Sequence, residues 1–245
     1  MRKKITILYE DTHIIVCEKP VGIPSQADKS SGPDMVNMLK NHVFEHEKDA
    51  TAPYIAVVHR LDRPVGGVMV YAKTPFAAKE LSRQISSHTI EKTYLAVVTQ
   101  DLSEEIGKQI HLEDYLKKDG RTNTSKVVLP KEKDAKKAEL YYEPIEVIDG
   151  NTLIKVQLLT GRHHQIRVQM KSHTGGLLGD RKYNEEETKK ADGIQGVKIP
   201  LMLYAYSLEF VHPKTKKKMK FVNIPKTGLW EKYSISSKEF FNNNI

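Results

Sequence analysis

The chain has 245 residues, 39% of them hydrophobic and 29% charged, so it holds enough apolar material for one large domain or two small ones. Lys and Arg number 39 against 31 Asp and Glu, a formal net charge of +8 that concentrates the protein near polyanions such as RNA or an anionic membrane surface. The single cysteine, Cys17, excludes an intrachain disulfide framework and a Cys-cluster zinc site, and no stretch approaches the roughly 20 apolar residues of a membrane span.

Met1-Arg2-Lys3-Lys4 is basic, but Ile5, Ile7 and Tyr9 then alternate instead of forming the apolar core of a signal peptide. A cytoplasmic location is expected. Ile5–Tyr9 and His13–Glu18 read as strands, with Cys17 a buried, reduced thiol inside the second. Lys19 to Pro24 is a turn-rich break, and Asp34–Glu45 has helical spacing at Met35, Met38, Leu39 and Val43. Ile55–Val58 and Gly67–Lys73 are short apolar strands. Thr74 and Pro75 form an N-cap and first helical residue for a helix to about Ile85. Lys92–Val98 is a strand, 117–137 a polar exposed excursion, and Leu153–Leu159 a strand ending at Thr160-Gly161. His164–Met170 fits either a strand or a helix, because Ile166, Val168 and Met170 alternate while Ile166 and Met170 lie four apart. Residues 184–198 read as a second polar loop, Leu201–Phe210 and Met219–Ile224 as strands, and a short helix is expected in the last twenty residues. Strands outnumber helices without regular alternation, which gives an α+β fold class.

Four segments carry chemistry. His59-Arg60-Leu61-Asp62 lies in the tight connector between two apolar strands, where a carboxylate is ordered yet able to reach a ligand. Taken alone, Asp62 reads first as a turn residue capping its own loop. Tyr94 sits in a dense apolar strand, as a core side chain or as a flat ring for an unstacked base. Thr160-Gly161-Arg162-His163-His164-Gln165-Ile166-Arg167 gathers two Arg and two His at a strand end, suited to pairing a carboxylate or binding phosphate, or to a solvated basic turn. Adjacent histidines are expected to point in different directions, which makes His163-His164 a weak metal site. Leu201–Ala205 reads as a core strand. No P-loop, dinucleotide fingerprint or His-Glu-x-x-His is present, so no cofactor and no metal are indicated.

Together these segments resemble the pseudouridine synthases of the RluA type. Ile7–Asp11 through Lys19-Pro20-Val21-Gly22 resembles that family's opening, and His59-Arg60-Leu61-Asp62 through Ala72-Lys73 its catalytic signature. Lys92–Ala96, Gly161–Arg167 and Gly179-Asp180-Arg181-Lys182-Tyr183 resemble later signatures. The likeness runs from Ile7 to about Pro225. It implies a mainly antiparallel mixed sheet with a central catalytic cleft and peripheral helices, in a single catalytic domain over 1–245. It also implies Asp62 as catalytic carboxylate, Tyr94 against the target base, and Arg167 paired with Asp62. Arg60 would open the RNA and hold the flipped nucleotide, and Leu203 would pack under the base. Arg162, His164 and Gln165 are further candidates for RNA contact. Pro64-Val65-Gly66-Gly67 departs from the family's Thr-Ser-Gly, so a hydroxyl role there is in doubt. The N-terminal S4-type RNA-binding domain of many relatives is not expected.

The implied activity is conversion of uridine to pseudouridine in rRNA or tRNA without a cofactor, by a monomer needing no obligatory protein partner. Asp62 attack on C1′, attack on the base and removal of a sugar proton all remain open. Two rival readings use the same residues: a non-catalytic RNA-binding or ribosome-assembly protein, and a metal-dependent nuclease using Asp62 and Asp180.

Overall fold

The computed structural model describes residues 5–28, 32–46, 52–226 and 228–233. Among these, the elements in chain order begin with β1 (Thr6–Glu10), β2 (Ile14–Lys19), α1 (Met35–His46), β3 (Ala56–Val57), β4 (Gly66–Ala72) and α2 (Pro75–Ser86). They continue with β5 (Glu91–Val98), β6 (Ile110–Asp119), β7 (Thr124–Val128), β8 (Lys136–Ile148), β9 (Asn151–Leu158) and α3 (Gln165–His173). The last are α4 (Glu185–Gln195), β10 (Leu203–Val211) and β11 (Lys218–Val222), with short 3-10 turns at Ser103–Glu105 and Gly228–Lys232. This is an α+β architecture, mostly antiparallel, and no described helix is long and apolar enough to cross a membrane. The chain forms two compact units. One takes the described residues of Met1–Lys92 and Ala205–Asn223, the other those of Thr93–Tyr204 and Ile224–Ile245.

In the first unit the strand order is β1-β2-β4-β10, with β3 beside β4 and β11 beside β10. β2 runs antiparallel to β4, from Ile14 opposite Ala72 to Lys19 opposite Gly67. Ile14, Val16, Val68, Val70, Leu208 and Phe210 form one core with Ala77 and Leu81 of α2. That helix starts as its sequence dictates: the Thr74 hydroxyl accepts the Ala77 N–H at 3.2 Å and Pro75 takes the first position. Its Gln84 amide completes the edge of β10, donating to Val211 C=O at 2.8 Å and accepting Val211 N–H at 2.9 Å. Cys17 is buried, and burial pushes its thiol pKa well up, so it is inert in the core.

The second unit has the order β5-β9-β8-β6-β7. Here the structure adds elements that patterning did not resolve. β6 and β8 were unassigned strands. In β8 the buried Ala138, Leu140, Tyr142 and Pro144 alternate with polar neighbours, and Pro144 sits where the register with β9 shifts. A proline inside a run argues against a strand unless the strand bulges, as it does here. Asp149 and Gly150, both at positive φ, close the β8–β9 hairpin as a type I′ turn requires. The 117–137 excursion is largely exposed but ordered, holding β7 and the ends of β6 and β8. Residues 184–198 contain α4, not a loop. Its helicity rests on Glu185, Glu186 and Glu187 in the first turn and on i,i+3 and i,i+4 ion pairs to Lys189 and Lys190, with Thr188 its one buried residue. The ambiguous 164–170 segment is helical. The expected C-terminal helix is represented by the Gly228–Lys232 turn, and residues 234–245 lie outside the described ones.

Gly67 in β4 has φ +122°, and a Cβ there would stand 2.2 Å from the Ala205 carbonyl oxygen of β10. Gly67→Ala therefore combines backbone strain with a collision against main chain. It is expected to destabilise the protein by about 2 kcal/mol or more, read as a lower urea midpoint at unchanged slope. A midpoint equal to wild type would contradict this packing.

Candidate active site

Asp62 stands half-buried in the connector between β3 and β4, which folds back on itself through Val65 N–H to Asp62 C=O at 2.9 Å. What holds it is the segment that follows β2. Lys19 is fully buried, and its ammonium donates to the carbonyls of Ile23 (2.6 Å), Pro20 (3.1 Å) and Arg63 (3.2 Å). A buried cation requires such oxygens, because an unsolvated charge costs several kcal/mol. Gly22 and Arg63 are joined twice, by Gly22 N–H to Arg63 C=O at 2.9 Å and Arg63 Nε to Gly22 C=O at 3.0 Å. On the other side, Ser25 Oγ donates to Leu61 C=O at 2.9 Å and accepts Leu61 N–H at 3.1 Å. Both neighbours of Asp62 are thus fastened to residues 19–25, which fixes the backbone that carries the carboxylate. Arg60 is exposed on the same connector.

His59 anchors the start of the connector. Its Nε2 accepts the Val70 N–H of β4 at 3.1 Å. Protein atoms crowd the part-buried ring; this burial, with the Lys92 charge second, pushes its pKa down to about 3.

In the second unit, Thr160 to His164 turns the chain from β9 into α3. Gln165 organises that turn: its Oε1 accepts from Thr160 Oγ1 (2.8 Å) and Arg162 N–H (3.0 Å), and its Nε2 donates to Glu139 C=O (3.0 Å). Gln165 is buried, so its amide is spent on the turn and its place is internal rather than on an RNA-facing surface. Arg162 Nε donates to Lys137 C=O at 2.7 Å. His164 adopts the left-handed conformation at φ 54°, which brings its ring onto that of His163 at 3.8 Å with 26° between planes. The two rings stack, contrary to the expectation that they diverge.

Arg167 lies one turn into α3, buried, and its Nε and Nη2 form a fork with Asp180 at 2.8 and 2.6 Å. Bidentate pairing of this kind sets the plane of the guanidinium as well as its charge environment. Asp180 Oδ1 also accepts the N–H groups of Lys182 (3.0 Å) and Tyr183 (3.2 Å). Gly179, at φ +79°, lets this turn approach the Pro200 carbonyl, where a Cβ would come within 1.9 Å. Asp180, part of the Gly179–Tyr183 signature and a metal ligand in the nuclease alternative, is seen to hold Arg167. Tyr94 is buried in β5 and Leu203 buried at the start of β10. Asp62 and Arg60 thus belong to one unit, and Tyr94, Arg162, His164, Gln165, Arg167 and Leu203 to the other. Among the described residues no cluster of three or more His, Cys, Asp or Glu is placed to hold a metal ion.

The His59 environment generates a pH prediction. The imidazole is neutral in the native state, while an unfolded histidine takes a proton near pH 6.5. Between about pH 6.5 and 3 the unfolded state therefore binds more protons, and stability falls as pH falls. From pH 7 to 5 the loss from this group is about 2 kcal/mol. His59→Gln, which keeps an acceptor for Val70, should show a flatter stability profile over that range. Parallel profiles for the two proteins would contradict it.

A family model described as RNA pseudouridylate synthase matches residues 13–172. An uncharacterized RNA pseudouridine synthase of Helicobacter pylori is 30% identical over 229 residues, which cover 89% of this chain and 65% of the relative. Ribosomal large subunit pseudouridine synthase D of Nitrosomonas europaea is 32% identical over 218 residues, covering 85% and 58%. The chain thus spans about 58–65% of the length of these curated relatives. Among solved structures, human RNA pseudouridylate synthase domain containing 4 superposes with a TM-score of 0.71 at 20% identity, covering 89% of this chain and 87% of that one. Human RNA pseudouridylate synthase domain containing 1 gives 0.71 at 18% identity, covering 95% and 88%. At such identities the superpositions speak to the fold. The family match covers well over half of the chain and takes in the connector of Asp62, the strand of Tyr94 and the helix of Arg167, and on that ground the chain belongs to the RNA pseudouridylate synthase family.

Proposed function

We propose that this chain isomerises uridine to pseudouridine in structured RNA, with Asp62 as its catalytic carboxylate. The observation that carries the reading is the connector around Asp62: both flanking residues are anchored, Leu61 by Ser25 and Arg63 by Lys19, while Asp62 is part-exposed. That is how a reactive group is held in one orientation yet open to a ligand, and orientation supplies a large part of a rate gain. We propose that residues 1–245 are a single catalytic domain and that Tyr94 and Arg167 take part in the same reaction as Asp62. The Asp180 fork fixes the plane of the Arg167 guanidinium, and Arg167 is assigned a supporting role in the same reaction.

The reaction breaks the uracil N1–C1′ bond, turns the base and joins C5 to C1′. C5 loses its proton and N1 gains one, so no atoms or electrons are gained overall and no cofactor is called for. A uridine within a helix must first be flipped out at a cost of a few kcal/mol, which contacts to phosphates offset. Arg60, exposed beside Asp62, is assigned to holding the flipped nucleotide, and Leu203 to packing beneath the base. Arg162 and His164 border the turn that delivers Arg167 and are assigned to RNA contact; Gln165 supports them through the turn. Relatives named for the ribosomal large subunit point to rRNA as the substrate class. A monomer in the cytoplasm is the assigned working form.

Mapping pseudouridines in cellular RNA with and without this protein tests the reading. A defined uridine should remain unmodified when the protein is absent, be restored by wild type, and stay unmodified with Asp62→Ala. In vitro that variant should lose at least about a thousandfold in rate while keeping RNA affinity. Full activity of Asp62→Ala would overturn the assignment and favour a non-catalytic RNA-binding role.

A further inference from the structure

Tyr183, three residues after Asp180, touches more of the second unit than the proposed chemistry uses. Its ring covers the Arg167 guanidinium, 5.1 Å from ring centre to Cζ. Its apolar edge packs on Leu116 of β6, Ala138 of β8 and Val168 of α3. Its phenol oxygen accepts the Ser125 N–H of β7 at 2.8 Å and lies 2.7 Å from His164 Nδ1. Two further contacts fasten the same hairpin to the same place. Ser125 Oγ meets His163 Nδ1 at 2.9 Å, and Lys182 Nζ donates to Asn123 C=O at 3.0 Å. The β6–β7 hairpin is therefore bolted, at its turn and at its second strand, to the residues that grip Arg167.

The outer side of that hairpin is cationic. Lys118, Arg121 and Lys126 are exposed, and Lys117 pairs with Glu132 at 3.6 Å. Asp119, exposed at the turn, is engaged by its own loop, accepting from Arg121 N–H at 2.8 Å and from Thr122 Oγ1 at 2.9 Å. A rigid basic hairpin of this kind suits a phosphodiester backbone better than a carboxylate, because cations spaced along a strand contact successive phosphates.

We propose that the β6–β7 hairpin binds the backbone of the substrate RNA, and that Tyr183 is a positioning residue that ties this hairpin to the orientation of Arg167. The inference rests on the catalytic role assigned to Arg167 above. Tyr183 contacts no reacting atom in this scheme. It holds the face of the guanidinium while Asp180 holds its edge, and the Ser125 and His164 contacts hold Tyr183. Binding along the hairpin and alignment of the cation thereby share one set of contacts.

Two variants assayed on an unmodified transcript of large-subunit ribosomal RNA separate the parts. Tyr183→Phe keeps the ring and removes the oxygen that meets Ser125 and His164. It should lower kcat roughly tenfold with KM and the salt dependence of binding unchanged. A variant combining Lys118→Gln, Arg121→Gln and Lys126→Gln should raise KM about tenfold or more and reduce the slope of log affinity against log salt by about 2. Urea unfolding of Tyr183→Phe confirms that the fold is retained at assay temperature. A wild-type kcat in Tyr183→Phe, or a rise in KM alone, would overturn the positioning role. An unchanged KM and salt slope in the triple variant would overturn the RNA contact. Absence of turnover by wild type would instead strike the catalytic reading, and the hairpin would still be tested by RNA binding of wild type against the triple variant.

Discussion

A buried cation must be surrounded by oxygens, and each unit of this protein is organised around one. In the first unit the Lys19 ammonium gathers the carbonyls of Pro20, Ile23 and Arg63, drawing the segment after β2 and the connector before β4 onto one point. In the second the Arg167 guanidinium is forked by Asp180, whose other contacts fold residues 180–183 into a turn. Removing the oxygens would leave a charge in a low-dielectric interior at a cost of several kcal/mol, so these loops are not free to drift. Asp62 stands on one loop so fixed and Arg167 in the helix that the other grips, while Tyr94 is carried by β5.

That arrangement separates two tasks often confused when a site is read from sequence. Contacts of Ser25 with Leu61 and of Gly22 with Arg63 hold the loop of Asp62 on both sides. The turn reading of Asp62 has a basis, since its carbonyl accepts from Val65 N–H. Gln165 is the reverse case. It sits in a basic motif that suggested ligand contact, yet its amide is consumed by Thr160, Arg162 and Glu139. The polar side chain of Gln165 builds the turn from within, whereas Asp62 is the residue assigned to the chemistry.

Much of the fold was legible because local signals agreed with the tertiary structure. Thr74-Pro75 marked the start of α2, and the apolar runs of β2, β4 and β5 announced buried strands. β6 and β8 escaped because their buried positions alternate with charged and polar residues, with Pro144 interrupting the second. α4 escaped for the opposite reason: it buries little, so its order comes from charge pairs and not from an apolar stripe. For the site, motifs singled out Asp62, Tyr94 and Arg167, but the partnership of Arg167 with Asp180 and Tyr183 depends on a turn that returns to α3. Sequence spacing does not encode such an encounter, although the Gly179-Asp180-Arg181-Lys182-Tyr183 signature flagged where to look. The stacking of His163 on His164 likewise depended on a left-handed residue that no composition rule foretells.

The central claim is that this chain replaces the C5–H bond of a uridine with a C5–C1′ bond. Tritium release from ribosomal RNA transcribed with uridine tritiated at C5 reads that event directly. The account predicts release by the purified wild-type protein that rises to a plateau of one tritium per target uridine, while the RNA chain stays intact. No release above background on any structured RNA bearing an unmodified target, despite measurable RNA binding, would contradict it.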